Sequence, residues 1–166
     1  TGWCTETRAL LAFKASGNAH GLGEWVDGTD PCRAPWFMVT CAAGAVTELG
    51  HWERSWAPQL TGAIDSFAHL TRLTYLDLHS TQVGGDIIVL KRLMQLVHLD
   101  LRSTQVRGDI SVLADLTQLV HLDLRNTQVD GDVGKLAPLM ELTTLSLSDT
   151  NTTHRADCPL KMEISY

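Results

Sequence analysis

The chain has 166 residues, of which 44% are hydrophobic, and its formal net charge is −6, from 19 acidic and 13 basic residues. This length and composition are typical of one globular domain, and the acidic balance without a basic run excludes an ordinary nucleic-acid-binding protein. No stretch approaches the roughly 18 consecutive apolar residues of a membrane span, so the sequence predicts none.

Residues 1–48 are expected to form an N-terminal cap that begins with a short helix. The segment CTETRALLAFK is similar to the start of the plant-type leucine-rich-repeat cap, C-x-x-x-E-x-x-A-L-L-x-F-K, with Glu6 as the acidic residue. Leu10, Leu11 and Phe13 would give the helix an apolar side, and Gly17 is a suitable end. A helix placed here would cover the open core of the first coil.

The rest of the cap carries cysteines that can form disulfides. The segments LGEWVDGTDPC and PWFMVTC resemble the family's L-x-S-W, D-P-C and W-x-G-V-x-C, although Met38 replaces the usual glycine. Cys4, Cys32, Cys41 and Cys158 form no C-x-x-C pair, and four cysteines permit three connectivities. The resemblance implies that Cys32 pairs with Cys41. Cys4 and Cys158 should be separated by several coils, and each is then free or bonded to another chain.

The cysteines and one glycosylation triplet indicate an oxidising compartment. Asn151-Thr152-Thr153 matches the N-x-S/T acceptor pattern, which makes Asn151 a candidate glycosylation site. We therefore expect the protein to be secreted or to lie in an organelle lumen.

Residues 70–150 contain a regular repeat, because Leu76, Leu99, Leu122 and Leu145 recur at one constant step (99 − 76 = 23). The segments LTYLDLHSTQVGGDI, LVHLDLRSTQVRGDI and LVHLDLRNTQVDGDV follow one another. They resemble the leucine-rich-repeat family, L-x-x-L-x-L-x-x-N/C-x-L, with threonine in the Asn place, and the V-x-G-D-I part is similar to plant-type repeats. The resemblance implies an α/β solenoid, a short right-handed coil with a curved parallel β-sheet. The short period favours turns and 3₁₀ segments on its convex side.

The two flanks of the regular repeats are less regular in pattern. Residues 49–69 are expected to form an irregular first repeat, because Glu53 and Ser55 fall where Leu-x-Leu is required. This distorted coil would contain Trp52 and Trp56. Residues 151–166 lose the repeat and should cover the last coil as a C-terminal cap or tail.

Residues that alternate with the leucines of the Leu-x-Leu strand must face solvent on the concave sheet. They form three columns across successive coils: Tyr75, His98, His121 and Thr144; Asp77, Asp100, Asp123 and Ser146; and His79, Arg102, Arg125 and Ser148. The columns predict a protein-docking surface, with arginines that grip carboxylates and Tyr75 as an aromatic anchor. The alternative is a solvated salt-bridge ladder, whose pairs contribute only about 0 to 1 kcal/mol each and require no function.

Two other uses of the repeated side chains are less favoured. A metal could take His98, Asp100, His121 and Asp123, but nothing in their flanks fixes the orientation of the rings, so we predict no metal and no other cofactor. Ice binding would need outward-facing hydroxyls, whereas the repeated threonines occupy the inward Asn position of the family, where they would bond loop backbone. These threonines are Thr81, Thr104 and Thr127.

The sequence therefore predicts a non-catalytic protein-binding module or a subunit of a larger assembly, docking through the concave sheet or the cap. No nucleophile with a base and no phosphate-binding loop stands out, so we expect no enzyme. The resemblance implies this function, since family members with about five repeats include co-receptor ectodomains and small secreted relatives that act through protein contacts. The partner would be a protein or a multisubunit complex, not a nucleic acid. A co-receptor-like ectodomain fragment and an ice-binding protein are the alternatives.

Overall fold

A computed structural model of the protein describes residues 2–17, 22–33, 36–50, 59–153 and 164–165. Its elements in chain order are helix α1 (Gly2–Ser16) and strands β1 (Val39–Ala42), β2 (Ala45–Gly50), β3 (Thr61–Ala63), β4 (Tyr75–Asp77), β5 (Gln82–Asp86), β6 (His98–Asp100), β7 (Gln105–Asp109), β8 (His121–Asp123), β9 (Gln128–Asp132), β10 (Thr144–Ser146), β11 (Asn151–Thr153) and β12 (Ile164–Ser165). Short 3₁₀ segments follow β3, β5, β7 and β9, at Ile64–His69, Ile87–Arg92, Ile110–Leu113 and Val133–Leu136.

Two sheets run along the solenoid. Within the described residues, the larger sheet has the order β1-β2-β4-β6-β8-β10-β12, and the smaller has the order β11-β9-β7-β5-β3. Strands from successive coils pair in parallel, whereas β1 and β2 form an antiparallel hairpin. The predicted α/β solenoid with a parallel sheet and 3₁₀ segments is confirmed. The smaller sheet was not predicted.

The core is a continuous stack of leucines from neighbouring coils. Leu76, Leu99 and Leu122 lie opposite one another on β4, β6 and β8, as the constant step of the repeat requires, and all three are fully buried. A single coil has apolar side chains on only one side of its own backbone. Each coil therefore depends on its neighbours for burial and for interstrand hydrogen bonds, and the coils are stable only as a stack.

The N-terminal helix covers the end of this stack, as predicted. Leu10 and Phe13 are fully buried, and the Phe13 ring lies 4.8 Å from the ring of Phe67 in the first 3₁₀ segment. The Ser16 hydroxyl accepts a hydrogen bond of 2.8 Å from the Ala63 N–H at the edge of the smaller sheet. The helix thus seals both the apolar core and part of an exposed strand edge.

The cap loop is closed by the disulfide that the resemblance implied. Cys32 and Cys41 are bonded, with their Cα atoms 5.5 Å apart. Met38, which replaces the family's glycine, has a φ of 71°, so it adopts the left-handed conformation that glycine takes more easily. Its carbonyl accepts a 3.0 Å hydrogen bond from Gly50 N–H. The loop therefore keeps a glycine-like backbone without the glycine.

The register of the first coil differs from the prediction. Leu49 lies opposite Leu76, and this coil is therefore longer than the regular one from Leu76 to Leu99. Glu53 and Ser55 were thus wrongly aligned with the Leu-x-Leu positions. The β1–β2 hairpin sets this register. Its second strand extends past residue 48, where the cap was expected to end and the first repeat to begin. The segment with Glu53, Ser55 and the two tryptophans lies outside the described residues.

The repeated Gly-Asp pairs organise the start of the 3₁₀ segments. Each aspartate is the residue before a segment and accepts a hydrogen bond from the backbone two residues later; these aspartates are Asp86, Asp109 and Asp132. The glycine before the aspartate has a positive φ, 118° at Gly108 and 98° at Gly131. A Cβ at Gly108 would meet the Asp86 carboxylate of the previous coil. The glycine of one coil therefore leaves the space that the aspartate of the preceding coil occupies.

Candidate functional site

The concave sheet aligns the predicted columns. Tyr75 pairs with His98, His98 with His121, and His121 with Thr144, so this column is continuous over four strands. The second column runs in the same register from Asp77 through Asp100 and Asp123 to Ser146. The period of the sequence therefore placed these residues correctly relative to one another.

The aspartate column is buried, which the alternation of the strand did not predict. Asp77, Asp100 and Asp123 are only 8%, 3% and 2% exposed. Each carboxylate accepts a 3.1 Å hydrogen bond from the backbone N–H two residues later, at His79, Arg102 and Arg125. The expectation of a solvated column is therefore wrong for the aspartates. They fix the backbone where each strand ends.

The arginines hold the buried aspartates and remain partly open to solvent. Arg125 donates from Nε and Nη2 to both oxygens of Asp123, with a shortest distance of 2.6 Å. Arg102 Nη1 lies 2.7 Å from Asp100 and 3.5 Å from Asp123, so it joins two coils. The arginine side chains are 35% and 42% exposed. Their charges neutralise the buried carboxylates, and the exposed parts of the side chains lie on the concave surface.

Three rings form a stack above this ion-pair network. The centroids of Tyr75 and His98 are 4.3 Å apart, as are those of His98 and His121, and the planes are tilted by only 7° and 5°. The distance follows from the spacing of about 4.8 Å between paired strands, which holds side chains of one column against each other. The stack was not predicted, although the constant step between the three rings could have indicated it.

Burial and neighbouring charges change the titration of the site. Burial, with the nearby Asp77, raises the pKa of Tyr75 to about 12. Burial and the adjacent His121 lower the pKa of His98, so its imidazole is more readily neutral. Burial also raises the pKa of Asp100. Burial opposes ionisation of Asp123 too, but hydrogen bonds from Arg125 outweigh it and lower the pKa of that carboxyl.

Among the residues that the structure describes, two groups of side chains have ligand atoms close enough to bind one ion. Ligand atoms of His98, Asp100 and His121 all lie within 4.8 Å of one another, and so do those of Asp77, His79 and Asp100. In the second group, His79 Nδ1 and Asp77 Oδ1 are already 2.6 Å apart.

The repeated threonines point inward, as predicted. Thr81, Thr104 and Thr127 are at most 7% exposed. Their hydroxyls donate to the carbonyls of Leu78, Leu101 and Leu124 at 2.6 to 2.7 Å. These hydroxyls therefore satisfy loop backbone, and they do not form an outward surface for ice.

The remaining predicted sites are placed only in part. Asn151 is exposed on the edge strand β11, where a glycan would have room, but its glycosylation stays a prediction. Cys158 lies outside the described residues, and Cys4 is described only as backbone in α1. Within the described chain, no helix has the length and apolar content needed to span a membrane.

Comparison with known proteins identifies the cap and the fold. Residues 5–42 match the family described as leucine rich repeat N-terminal domain. No curated protein matches the chain. The chain is similar to the BIR2 ectodomain from Arabidopsis thaliana, with 24% identity and a TM-score of 0.75 over 89% of this chain and 81% of that one.

Two further solved structures are similar. One is a chain of the BIR3–SERK2 complex from Arabidopsis thaliana, with 23% identity and a TM-score of 0.74 over 89% of this chain and 83% of that one. The other is an internalin, InlF, from Listeria monocytogenes, with 35% identity and a TM-score of 0.52 over 61% of this chain and 30% of that one. These likenesses show the leucine-rich-repeat solenoid fold.

Proposed function

We propose that this chain, whose residues 5–42 match the leucine rich repeat N-terminal domain, is a non-catalytic module that binds a protein partner through its concave sheet. The observation that carries the proposal is the regular array of side chains on β4, β6, β8 and β10. Stacked rings and arginines held by buried aspartates form one preorganised polar surface. Such a surface loses little conformational entropy when a partner docks.

The chemistry of this surface favours a partner with acidic and hydrogen-bonding groups. A guanidinium offers five N–H donors, and the Asp123 contacts of Arg125 leave donors for an external carboxylate. His121 and the exposed Thr144 can add hydrogen bonds next to it. Docking of a protein is supported by the BIR3–SERK2 complex, in which a protein of the same fold is bound to another protein.

A co-receptor-like ectodomain is the second candidate. It is favoured by the likeness to the BIR2 ectodomain, since the match covers 81% of that chain. The cap disulfide supports a secreted or lumenal location for both candidates, because such bonds persist in oxidising compartments. The two candidates differ in the partner, which would be a receptor in the second case.

A pull-down from the source organism tests the proposed surface. Thr144→Arg places a long side chain at an exposed position of the concave face that donates none of the hydrogen bonds accepted by the buried aspartates. Thr117→Arg is the matched control, because Thr117 is exposed in a turn away from the concave sheet. We expect Thr144→Arg to lose the partners that the unmodified protein and Thr117→Arg recover. Equal recovery by both variants would reject the concave face as the docking site.

Charge reversal of Arg102 or Arg125 would be a weaker test. A glutamate at either position would face buried Asp123 or Asp100 with a second negative charge. The variant would then lose stability, and a failed pull-down would not distinguish unfolding from a missing contact.

A further inference from the structure

Two imidazoles and one carboxylate come together between adjacent coils of the concave sheet. His98 and His121 stack with their ring centroids 4.3 Å apart, and Asp100 follows His98 on the same strand. One ligand atom of each residue lies within 4.8 Å of the other two. We propose that His98, His121 and Asp100 bind a divalent transition-metal ion of the Zn²⁺ class. This site goes beyond the proposed function, because it needs no protein partner.

The distances suit a site that closes around an ion. Zinc binds imidazole nitrogen and carboxylate oxygen at about 2.0 to 2.2 Å, so ligand atoms around a tetrahedral ion lie roughly 3.3 to 3.5 Å apart. Ligand atoms that lie up to 4.8 Å apart must approach one another by up to about 1.5 Å. Because the His98 and His121 planes are parallel and an imidazole lone pair lies in the ring plane, His121 must tilt out of the stack to face the ion, whereas His98 can stay in place. Three protein ligands leave a fourth position for water or for a group of another molecule.

Neighbouring residues hold two of the three ligands in place. Tyr75 stacks on His98 with a tilt of 7°, which fixes the plane of that ring. Asp100 accepts hydrogen bonds from the backbone N–H of Arg102 at 3.1 Å and from its guanidinium at 2.7 Å. Contacts of this kind orient metal ligands in proteins. These orienting contacts were not predicted from the sequence. Tyr75 is brought to His98 by the register of the neighbouring strand, and Arg102 is brought to Asp100 by the bend after β6.

Arg102 does not prevent Asp100 from acting as a ligand. The guanidinium binds Oδ2, whereas Oδ1 accepts the backbone N–H, and an ionised carboxylate offers about four acceptor positions. The group formed by Asp77, His79 and Asp100 is the poorer choice. There His79 Nδ1 is already committed to Asp77 Oδ1 at 2.6 Å, and only one imidazole is present.

Calorimetric titration of the untagged, chelator-treated chain with Zn²⁺ tests the site. We expect one ion to bind per chain, and His98→Gln and His121→Gln each to weaken binding at least about tenfold. His69→Gln is the matched control, because His69 is exposed on the first 3₁₀ segment, and its affinity should be unchanged. Circular dichroism without metal checks that each variant is folded.

A second measurement uses the unmodified protein and does not depend on the folding of a variant. Zn²⁺ should shift the imidazole ¹H–¹⁵N NMR signals of His98 and His121 at one equivalent and leave that of His69 in place. Absence of saturable binding, equal affinity of His121→Gln and the unmodified chain, or shifts confined to other histidines would overturn the proposal. The zinc titration involves no partner, and the pull-down can be done in the presence of a chelator, so the two proposals can fail separately.

Discussion

Arg125 donates hydrogen bonds to both carboxylate oxygens of Asp123, a residue that is only 2% exposed on the concave sheet. The same carboxylate accepts the Arg125 backbone N–H and lies 3.5 Å from Arg102 of the preceding coil. A buried negative charge is tolerated only when it is paired and hydrogen-bonded. The main role of the arginines is therefore to stabilise the buried aspartates, and only their remaining donors are available to a partner.

Removal of the Arg125 guanidinium should destabilise the fold. Arg125→Ala leaves the buried Asp123 with fewer donors, and because Arg125 is partly exposed we expect a loss of about 1 to 3 kcal/mol in the free energy of unfolding. Urea denaturation measures it. Arg107→Ala, on the exposed surface of the smaller sheet, should change stability by less than about 0.5 kcal/mol. A similar small change in both variants would contradict a structural role for the ion pair.

The sequence predicted the register of this site but not its burial. The constant period of the repeat carries each side chain onto its neighbour one strand away, so Tyr75, His98 and His121 were aligned correctly. Burial of the Asp column depends on the arginines that fold over it and on the bend after each strand, which alternation alone does not describe. The register of the first coil was predicted wrongly for another reason. Its register follows the β1–β2 hairpin and the Cys32–Cys41 bond, which lie outside the repeat.

The inward threonines should contribute to stability through the hydrogen bonds that their hydroxyls donate to loop carbonyls. In Thr104→Val the shape is nearly kept, but the Leu101 carbonyl loses its 2.6 Å donor in a buried turn. We expect a loss of about 1 to 3 kcal/mol, measured by urea denaturation. Thr117→Val, at an exposed turn, is the control and should be nearly neutral. Equal stability of the two variants would show that the buried hydroxyl is dispensable.

The cap disulfide should stabilise the whole chain. Cys32 and Cys41 are separated by 9 positions in sequence, and on the chain-entropy model the closure of so short a loop contributes about 2 to 3 kcal/mol. Replacement of both cysteines by serine should lower the thermal midpoint, and a reducing agent should lower that of the unmodified protein similarly. The reducing agent should have no further effect on the double variant. A further decrease would mean that Cys4 or Cys158 also forms a stabilising disulfide.

Glu6 should make stability depend on pH in the acidic range. Glu6 is 8% exposed, its carboxylate accepts the Val46 N–H at 3.1 Å, and burial raises its pKa above the ordinary value of 4.5. A raised carboxyl pKa means that folding disfavours the charged form. This contribution therefore lowers stability as the pH rises from about 4.5 through the higher folded pKa, and it has no effect at lower pH.

Glu6→Gln separates the charge from the hydrogen bond. The amide oxygen can still accept the Val46 N–H, but no charge has to be buried, so the variant should be more stable than the unmodified protein at pH 7. The difference should disappear below the ordinary Glu value of 4.5, where the Glu6 carboxyl is neutral in both the folded and the unfolded chain. Glu6→Ala is the control, since it leaves the Val46 N–H without this acceptor and should be destabilised at both pH values. Urea denaturation at pH 7 and pH 4 gives both comparisons, and a Gln variant that is less stable at pH 7 would mean that the charged carboxylate favours the fold.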